Sequence, residues 1–306
     1  MAQPDRAIDI QGHRGARGLS PESTLPSFET ALDLGVTTLE FDLHFTSDGE
    51  IVVWHDPVIS PEKCGLRSGA PDTVPDPDDP ATSDESLAVR ALSVSQLRRF
   101  DCNRNPDPNR FPDQNPAATL LAGDNYGVVT LADLLAFVDT YSQSERKTDA
   151  QRSAASAVRF NIETKRDPTQ PANIGDDFDG VNAGAFELRL LAVIDSQGVG
   201  DRVVVQSFDE SSLEAIHAQD PTVELAFLTS TAFSQFTAVA DAGVAVWSPS
   251  SRTITETLVA DAHAAGLSVS TWTVNSEDEI REVMSVGIDG IITDRPDIAL
   301  DIVAQG

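Results

Sequence analysis

Only three of the 306 residues are lysines, Lys63, Lys147 and Lys165, so arginine supplies most of the 21 basic side chains set against 49 acidic ones. A net charge of −28 makes the general surface repel nucleic acid and anionic membranes, so neither is expected as a partner, and an anionic substrate requires a local basic pocket. Such a lysine-poor, acid-rich surface suits a saline habitat, and a high-GC genome gives the same bias. No run of about 18 apolar residues occurs, which excludes a membrane-spanning helix, and no stable membrane association is expected. Residues 1–6 lack the apolar core of a signal peptide. This fits a cytoplasmic chain, although removal of a signal would leave the same appearance. The only two cysteines, Cys64 and Cys102, fall in one irregular segment. As free thiols they say nothing of compartment; as a disulfide they imply a periplasmic or secreted life. The oligomeric state is left open.

With 40% hydrophobic residues the chain can bury a sizeable core. Strands are expected near residues 7–12, 38–43, 158–163, 203–206, 223–228, 244–247, 267–273 and 290–293, with a helix entered through Ser20-Pro21-Glu22-Ser23-Thr24 and striped by Phe28, Ala31, Leu32 and Leu34, and further helices at about 131–141, 185–196, 210–217, 234–242, 254–264, 277–286 and 297–303. Eight strands alternating with helices are the pattern of a (β/α)8 TIM barrel; a doubly wound open sheet is the alternative. The pattern breaks at about 57–128, where Asp and Pro abound and only 93–100 suggests a short helix. This stretch is expected to be a long irregular insertion after the second strand, without a core of its own, in a single domain spanning 1–306. Removing it leaves close to the roughly 250 residues of a plain barrel. Residues 153–157 read as a small-residue linker.

The stretch from Glu40 to Asp56 organises the chain. Glu40 and Asp42 lie one residue apart on a strand and so project from one face, while Leu39, Phe41 and Leu43 fill the other. Asp48-Gly49 supplies a tight turn, and Ile51-Val52-Val53-Trp54 returns the chain to deliver His55. In a barrel the C-terminal strand ends carry the site. There the first strand brings His13 and Arg14, the third Glu163 and Lys165, the fourth Gln206-Ser207-Phe208, the seventh Trp272 and Asn275, and the eighth Asp294 and Arg295. Glu40, Asp42 and Glu163 offer oxygen ligands without a thiolate, which favours Mg²⁺ or Ca²⁺ over Zn²⁺. Arg14 suits bidentate phosphate contact, and Lys165 either adds a point charge there or pairs with Glu163. His13 and His55 suit proton transfer at neutral pH. His44, placed on the strand face opposite Asp42, is read as non-catalytic, as are His217 and His263 on helices. Trp272 reads equally as core or as a wall against the substrate; for Phe208 core is favoured.

Six segments run in order from end to end: His13-Arg14-Gly15 with Pro21-Glu22-Ser23-Thr24; Glu40-x-Asp42 with Thr46-x-Asp48-Gly49; His55-Asp56-Pro57; Asn161-Ile162-Glu163-Thr164-Lys165; Thr271-Trp272-Thr273-Val274-Asn275; and Gly287 through Pro296. Together they resemble the metal-dependent glycerophosphodiester phosphodiesterases, a TIM-barrel family. The resemblance implies one divalent cation, Ca²⁺ or Mg²⁺, on Glu40, Asp42 and Glu163, with Glu22 as a further ligand or a neighbour of the ligands. It implies His13 and His55 as the acid/base pair, and Arg14 with Lys165 as phosphate contacts. The implied reaction hydrolyses a small-molecule glycerophosphodiester to sn-glycerol 3-phosphate and an alcohol. Ser23 stands where the family usually has Asn, and is expected to accept a backbone hydrogen bond at the helix start. A phospholipase D-like enzyme acting on lysophospholipids and a phosphodiester-binding barrel without chemistry are the alternatives.

Overall fold

A computed structural model describes residues 7–305; Met1–Arg6, on which the signal-peptide reading rests, lie outside the described residues. Among those described, eight parallel strands close into a barrel in the order β1 (Asp9–His13), β2 (Thr38–Phe45), β6 (Arg159–Thr164), β7 (Val203–Ser207), β8 (Glu224–Thr229), β9 (Val246–Pro249), β10 (Ser268–Thr271) and β11 (Gly290–Thr293). Closure is the parallel pairing of β11 with β1, Asp9 opposite Gly290 and Gly12 opposite Thr293. Helices α1 (Leu25–Leu34), α4 (Leu131–Gln143), α5 (Asp149–Ala157), α6 (Ala185–Gln197), α7 (Glu210–Gln219), α8 (Phe236–Asp241), α9 (Glu256–Ala264), α10 (Glu277–Ser285) and α11 (Pro296–Gln305) lie in the connections and after β11. The fold is the (β/α)8 barrel expected from the alternation. No helix among the described residues is long and apolar enough to cross a membrane.

The main core lies between strands and helices. Leu39, Phe41 and Leu43 of β2 are fully buried in it with Phe28 and Phe160, and Phe28 meets Phe41 edge-to-face at 5.7 Å. Packing the outer face in this way turns Glu40, Asp42 and His44 into the barrel. Since 42 and 44 are both on the inward face, the placement of His44 opposite Asp42 is corrected: side chains two apart on a strand share a face.

Two other expectations are corrected. The supposed linker at 153–157 is the end of α5, which starts in a capping box between Thr148 and Gln151 and buries only Ala155. A helix resting on one alanine shows no apolar stripe in sequence. The segment 57–128 does build a small core. Ile59, Cys64, Val74, Leu87, Val89, Leu92, Leu97, Phe100, Cys102 and Val128 cluster on Val52 and Trp54. Leu87 lies on the short helix α2 (Asp84–Leu87), Leu97 on α3 (Val94–Leu97) and Phe100 on β5 (Phe100–Asp101), which pairs with β4 (Gly65–Leu66); the rest come from turns and irregular chain. Its apolar residues are spaced by turns rather than by helix or strand period, and a disulfide between Cys64 and Cys102 supplies the staple such a small cluster needs.

Of the three lysines Lys147 is buried and the other two are half-buried. Lys147 lies 2.6 Å from both Glu29 and Asp33 under the barrel helices; the other two belong to the site below.

Candidate active site

The site grows from β2 and its neighbours. Asp42 is in register with Glu163 on β6, and Glu40 with His13 on β1. One carboxylate oxygen each from Glu40, Asp42 and Glu163 lies within 4.8 Å of the others, and all three residues are buried. Three acids so crowded cannot all ionise cheaply. Burial and the neighbouring charges of Asp42 and Glu163 push the Glu40 carboxyl well above its ordinary range. Burial, with the Asp42 charge, pushes Glu163 up to about 7 against the opposing charge of Lys165. Burial would raise Asp42 too, but His55, Arg14 and Lys165 outweigh it and hold that carboxylate low.

The Asp42 Oδ2 atom is buried without a hydrogen bond. An all-oxygen triad that repels itself and leaves a buried carboxylate oxygen without a hydrogen bond fits a hard divalent cation. Lys165 supplies positive charge 2.8 Å from Glu163 and 3.5 Å from Asp42.

Arg14 reaches the triad through an unusual backbone. Its φ of 53° and the 88° of Gly15 place two successive residues in the left-handed region. A Cβ on Gly15 would lie 2.7 Å from the Ser27 backbone, so only glycine allows the turn to close against α1. The Arg14 N–H donates to Glu40 Oε2 at 3.2 Å, its Nη1 donates to Glu22 Oε1 at 2.9 Å, and its Nε stands 3.3 Å from Asp42 Oδ2. Ser23 also has a positive φ, 57°, and Thr24, not Ser23, caps α1. The expected capping role of Ser23 is therefore corrected. A left-handed position is one that Asn tolerates well and most other residues do not.

The two histidines are held at Nδ1. His13 Nδ1 is 2.5 Å from Asp294 Oδ1, and its Nε2 stands 3.9 Å from Glu40 Oε2. Burial, aided by Arg14 and opposed by Asp294, lowers the His13 pKa to about 4, so its imidazole is neutral at pH 7. The short strand β3 (Ile51–Val53) pairs antiparallel with β2 and delivers His55, as the turn at Asp48-Gly49 led one to expect. His55 Nδ1 lies 2.6 Å from Asp56 Oδ1, and burial lowers its pKa. His44 contacts the site only through its Nε2, 3.0 Å from the His55 carbonyl oxygen.

These groups open into a cavity of about 310 Å³ lined by the polar His13, Arg14, Glu40, His55, Glu163 and Lys165 and by the apolar Phe208, Leu228, Trp272 and Ile292. Trp272 is thus part of a wall, with its Nε1 donating to the Ser248 carbonyl at 2.9 Å. Phe208, for which a core position was favoured, is 44% exposed and meets Trp272 edge-to-face at 5.5 Å; it follows the last residue of β7, where the chain turns outward. Glu22 stands outside the acidic triad. It instead gathers Arg14, Arg17 at 2.5 Å and Lys63 at 2.8 Å.

Sequence reasoning missed Arg17, Lys63 and Arg110, which also line the cavity. Lys63 pairs with Asp56 as well as Glu22, and Arg110 lies 3.2 Å from Asp294. The last two come from the insertion, whose lack of period hid their direction. Asp294 was visible on the rim, but its partner was not, since the two are 281 residues apart.

Comparison with known proteins gives a consistent result. The family model described as Glycerophosphoryl diester phosphodiesterase family matches residues 13–298. A glycerophosphodiester phosphodiesterase of Bacillus altitudinis is 27% identical over 96% of this chain and 97% of its own. One of Bacillus subtilis is 23% identical over 97% and 87%. A solved structure from Silicibacter pomeroyi superposes with a TM-score of 0.78 at 29% identity, covering 99% of this chain and 95% of that one. A phosphodiesterase of Oleispira antarctica, solved with the product sn-glycerol-3-phosphate, shares the fold at 17% identity, with a TM-score of 0.69 over 97% of each chain.

Proposed function

The chain belongs to the glycerophosphoryl diester phosphodiesterase family, and from that premise we propose that it hydrolyses small glycerophosphodiesters to sn-glycerol 3-phosphate and an alcohol, using a divalent cation and two histidines. The observation that carries this reading is the meeting, at one cavity, of a self-repelling acidic triad with two carboxylate-held histidines and the cations Arg14 and Lys165.

Glu40, Asp42 and Glu163 would hold the cation. When bound, it supplies Lewis-acid stabilisation of the charge on the phosphoryl oxygens. Arg14 and Lys165, already against the triad, attract the same oxygens and orient the phosphate. Asp294 accepts the Nδ1 proton of His13, and Asp56 that of His55, which leaves each Nε2 free to exchange a proton with the reacting groups. One imidazole enters neutral and takes a proton from the nucleophile, while the other enters as the imidazolium and gives its Nε2 proton to the leaving alkoxide. The nearby carboxylate stabilises the positive charge on whichever ring carries it. Phe208 and Trp272 pack against the organic part of the substrate and exclude water from that side.

Release of glycerol 3-phosphate from glycerophosphocholine and glycerophosphoethanolamine, followed with added Mg²⁺ or Ca²⁺ and with chelator, tests this. Release that needs one of the cations is expected. Release indifferent to chelator, or none from folded protein with either cation, contradicts the reading.

A further inference from the structure

The barrel interior below the triad is polar where such barrels usually pack branched apolar side chains. Gln206 Nε2 donates to Glu40 Oε1 at 2.7 Å. Gln206 Oε1 accepts from Asn161 Nδ2 at 3.1 Å, and the same Asn161 nitrogen donates to Gln11 Oε1 at 2.7 Å. Gln11 Nε2 then donates to Asp9 Oδ2 at 2.8 Å, while the other Asp9 oxygen accepts from the hydroxyls of Thr37 and Thr38. Gln11, Asn161 and Gln206 are buried. Asp9 lies at the opposite mouth, on a second cavity of about 60 Å³.

The direction of this column is fixed from its lower end. An ionised aspartate only accepts, so Gln11 must turn its NH2 toward Asp9 and its carbonyl upward. That carbonyl requires the NH2 of Asn161, whose second hydrogen meets the Gln206 carbonyl. Gln206 is then left with its NH2 facing Glu40. Reversing any one amide sets carbonyl against carbonyl or carboxylate. Asn161 Oδ1 is buried with no partner, the cost of aiming both of its hydrogens at neighbouring carbonyls.

Resting on the metal reading of Glu40, we infer that Gln206 and Asn161 are positioning residues for the cation site. Asp9, at the far mouth of the barrel, sets the sense in which they hold the Glu40 carboxylate. Partners that orient ligands in this way typically change metal affinity about 10–100-fold when removed.

The test uses full-length wild type, Gln206→Leu, Asp9→Asn and the double variant, each stripped with chelator and titrated with Mg²⁺ and Ca²⁺ by calorimetry, with thermal melting in chelator as the control for folding. Gln206→Leu is expected to bind about 10–100-fold more weakly. Asp9→Asn is expected to weaken binding in the wild-type background and to add nothing in the Gln206→Leu background, because its influence passes through Gln206. If Gln206→Leu does not fold, Gln206→Glu replaces it, keeping the shape while presenting an acceptor, with the same outcomes expected. Losses that add in the double variant, or an Asp9→Asn protein that binds as wild type, overturn the inference while leaving the metal reading intact. A wild type that binds neither cation overturns both.

Discussion

His13 Nδ1 and Asp294 Oδ1 meet at 2.5 Å across the seam where the last barrel strand closes on the first. The bond is possible only in the closed barrel. Asn275 Nδ2 donates to the other Asp294 oxygen at 2.9 Å and Arg110 lies 3.2 Å from it, so the carboxylate is fixed independently of the histidine. Burial would raise the Asp294 pKa, but His13 and Arg17 hold it well below the usual carboxylate range.

Asp294→Asn is therefore expected to lower kcat by about 100-fold or more with a smaller effect on KM, since an amide can turn its NH2 to Nδ1 and reverse the imidazole tautomer. Steady-state kinetics on glycerophosphocholine at saturating cation check this. A loss confined to KM contradicts it.

Much of this site was legible because a strand has a period of two. Glu40 and Asp42, and Glu163 with Lys165, could be assigned to a common face from spacing alone, and the Asp48-Gly49 turn located His55. What spacing does not carry is the partner across the fold: Asp294 for His13, Glu22 for Lys63, Gln206 for Glu40. The insertion was illegible for another reason. Its small core is assembled from turns and a disulfide, so neither its apolar residues nor the direction of Lys63 and Arg110 follow a repeat. Phe208 illustrates the limit of reading an aromatic beside a strand as core, because one residue past β7 the chain has already turned outward to the cavity.

The Cys64–Cys102 disulfide closes a loop spanning 38 positions, for which the loop-entropy estimate is about 4 kcal/mol. Lys63 adjoins Cys64 and holds Glu22 and Asp56. Cys64→Ser/Cys102→Ser is expected to lower Tm and to reduce activity even below the melting transition. Melting curves and turnover of the double variant beside wild type measure both; unchanged activity in the folded variant contradicts the coupling.

Glu29 is one acid-sensitive point of the scaffold. Burial would raise its pKa, but Lys147, Thr119 and the backbone N–H groups of Ala122 and Leu121 outweigh this and lower it. A carboxyl depressed in the folded state stabilises the fold above its ordinary pKa, and that stability is lost as pH falls through the lowered value. Glu29→Gln is expected to cost about 3 kcal/mol at pH 7, because it removes one of two partners from the buried Lys147. It is also expected to flatten the fall in stability on acidification below about pH 4. Urea unfolding between pH 7 and pH 3 measures both; a variant whose stability falls with acid as steeply as wild type contradicts the assignment.

In the proposed mechanism the triad holds the cation and the histidines move protons. This division is tested most directly by His13→Ala, measured both for Mg²⁺ and Ca²⁺ affinity by calorimetry and for glycerol 3-phosphate release at saturating cation. The expected result is cation binding close to wild type with turnover reduced by at least about 100-fold. Turnover near wild type in the folded variant would contradict the central claim.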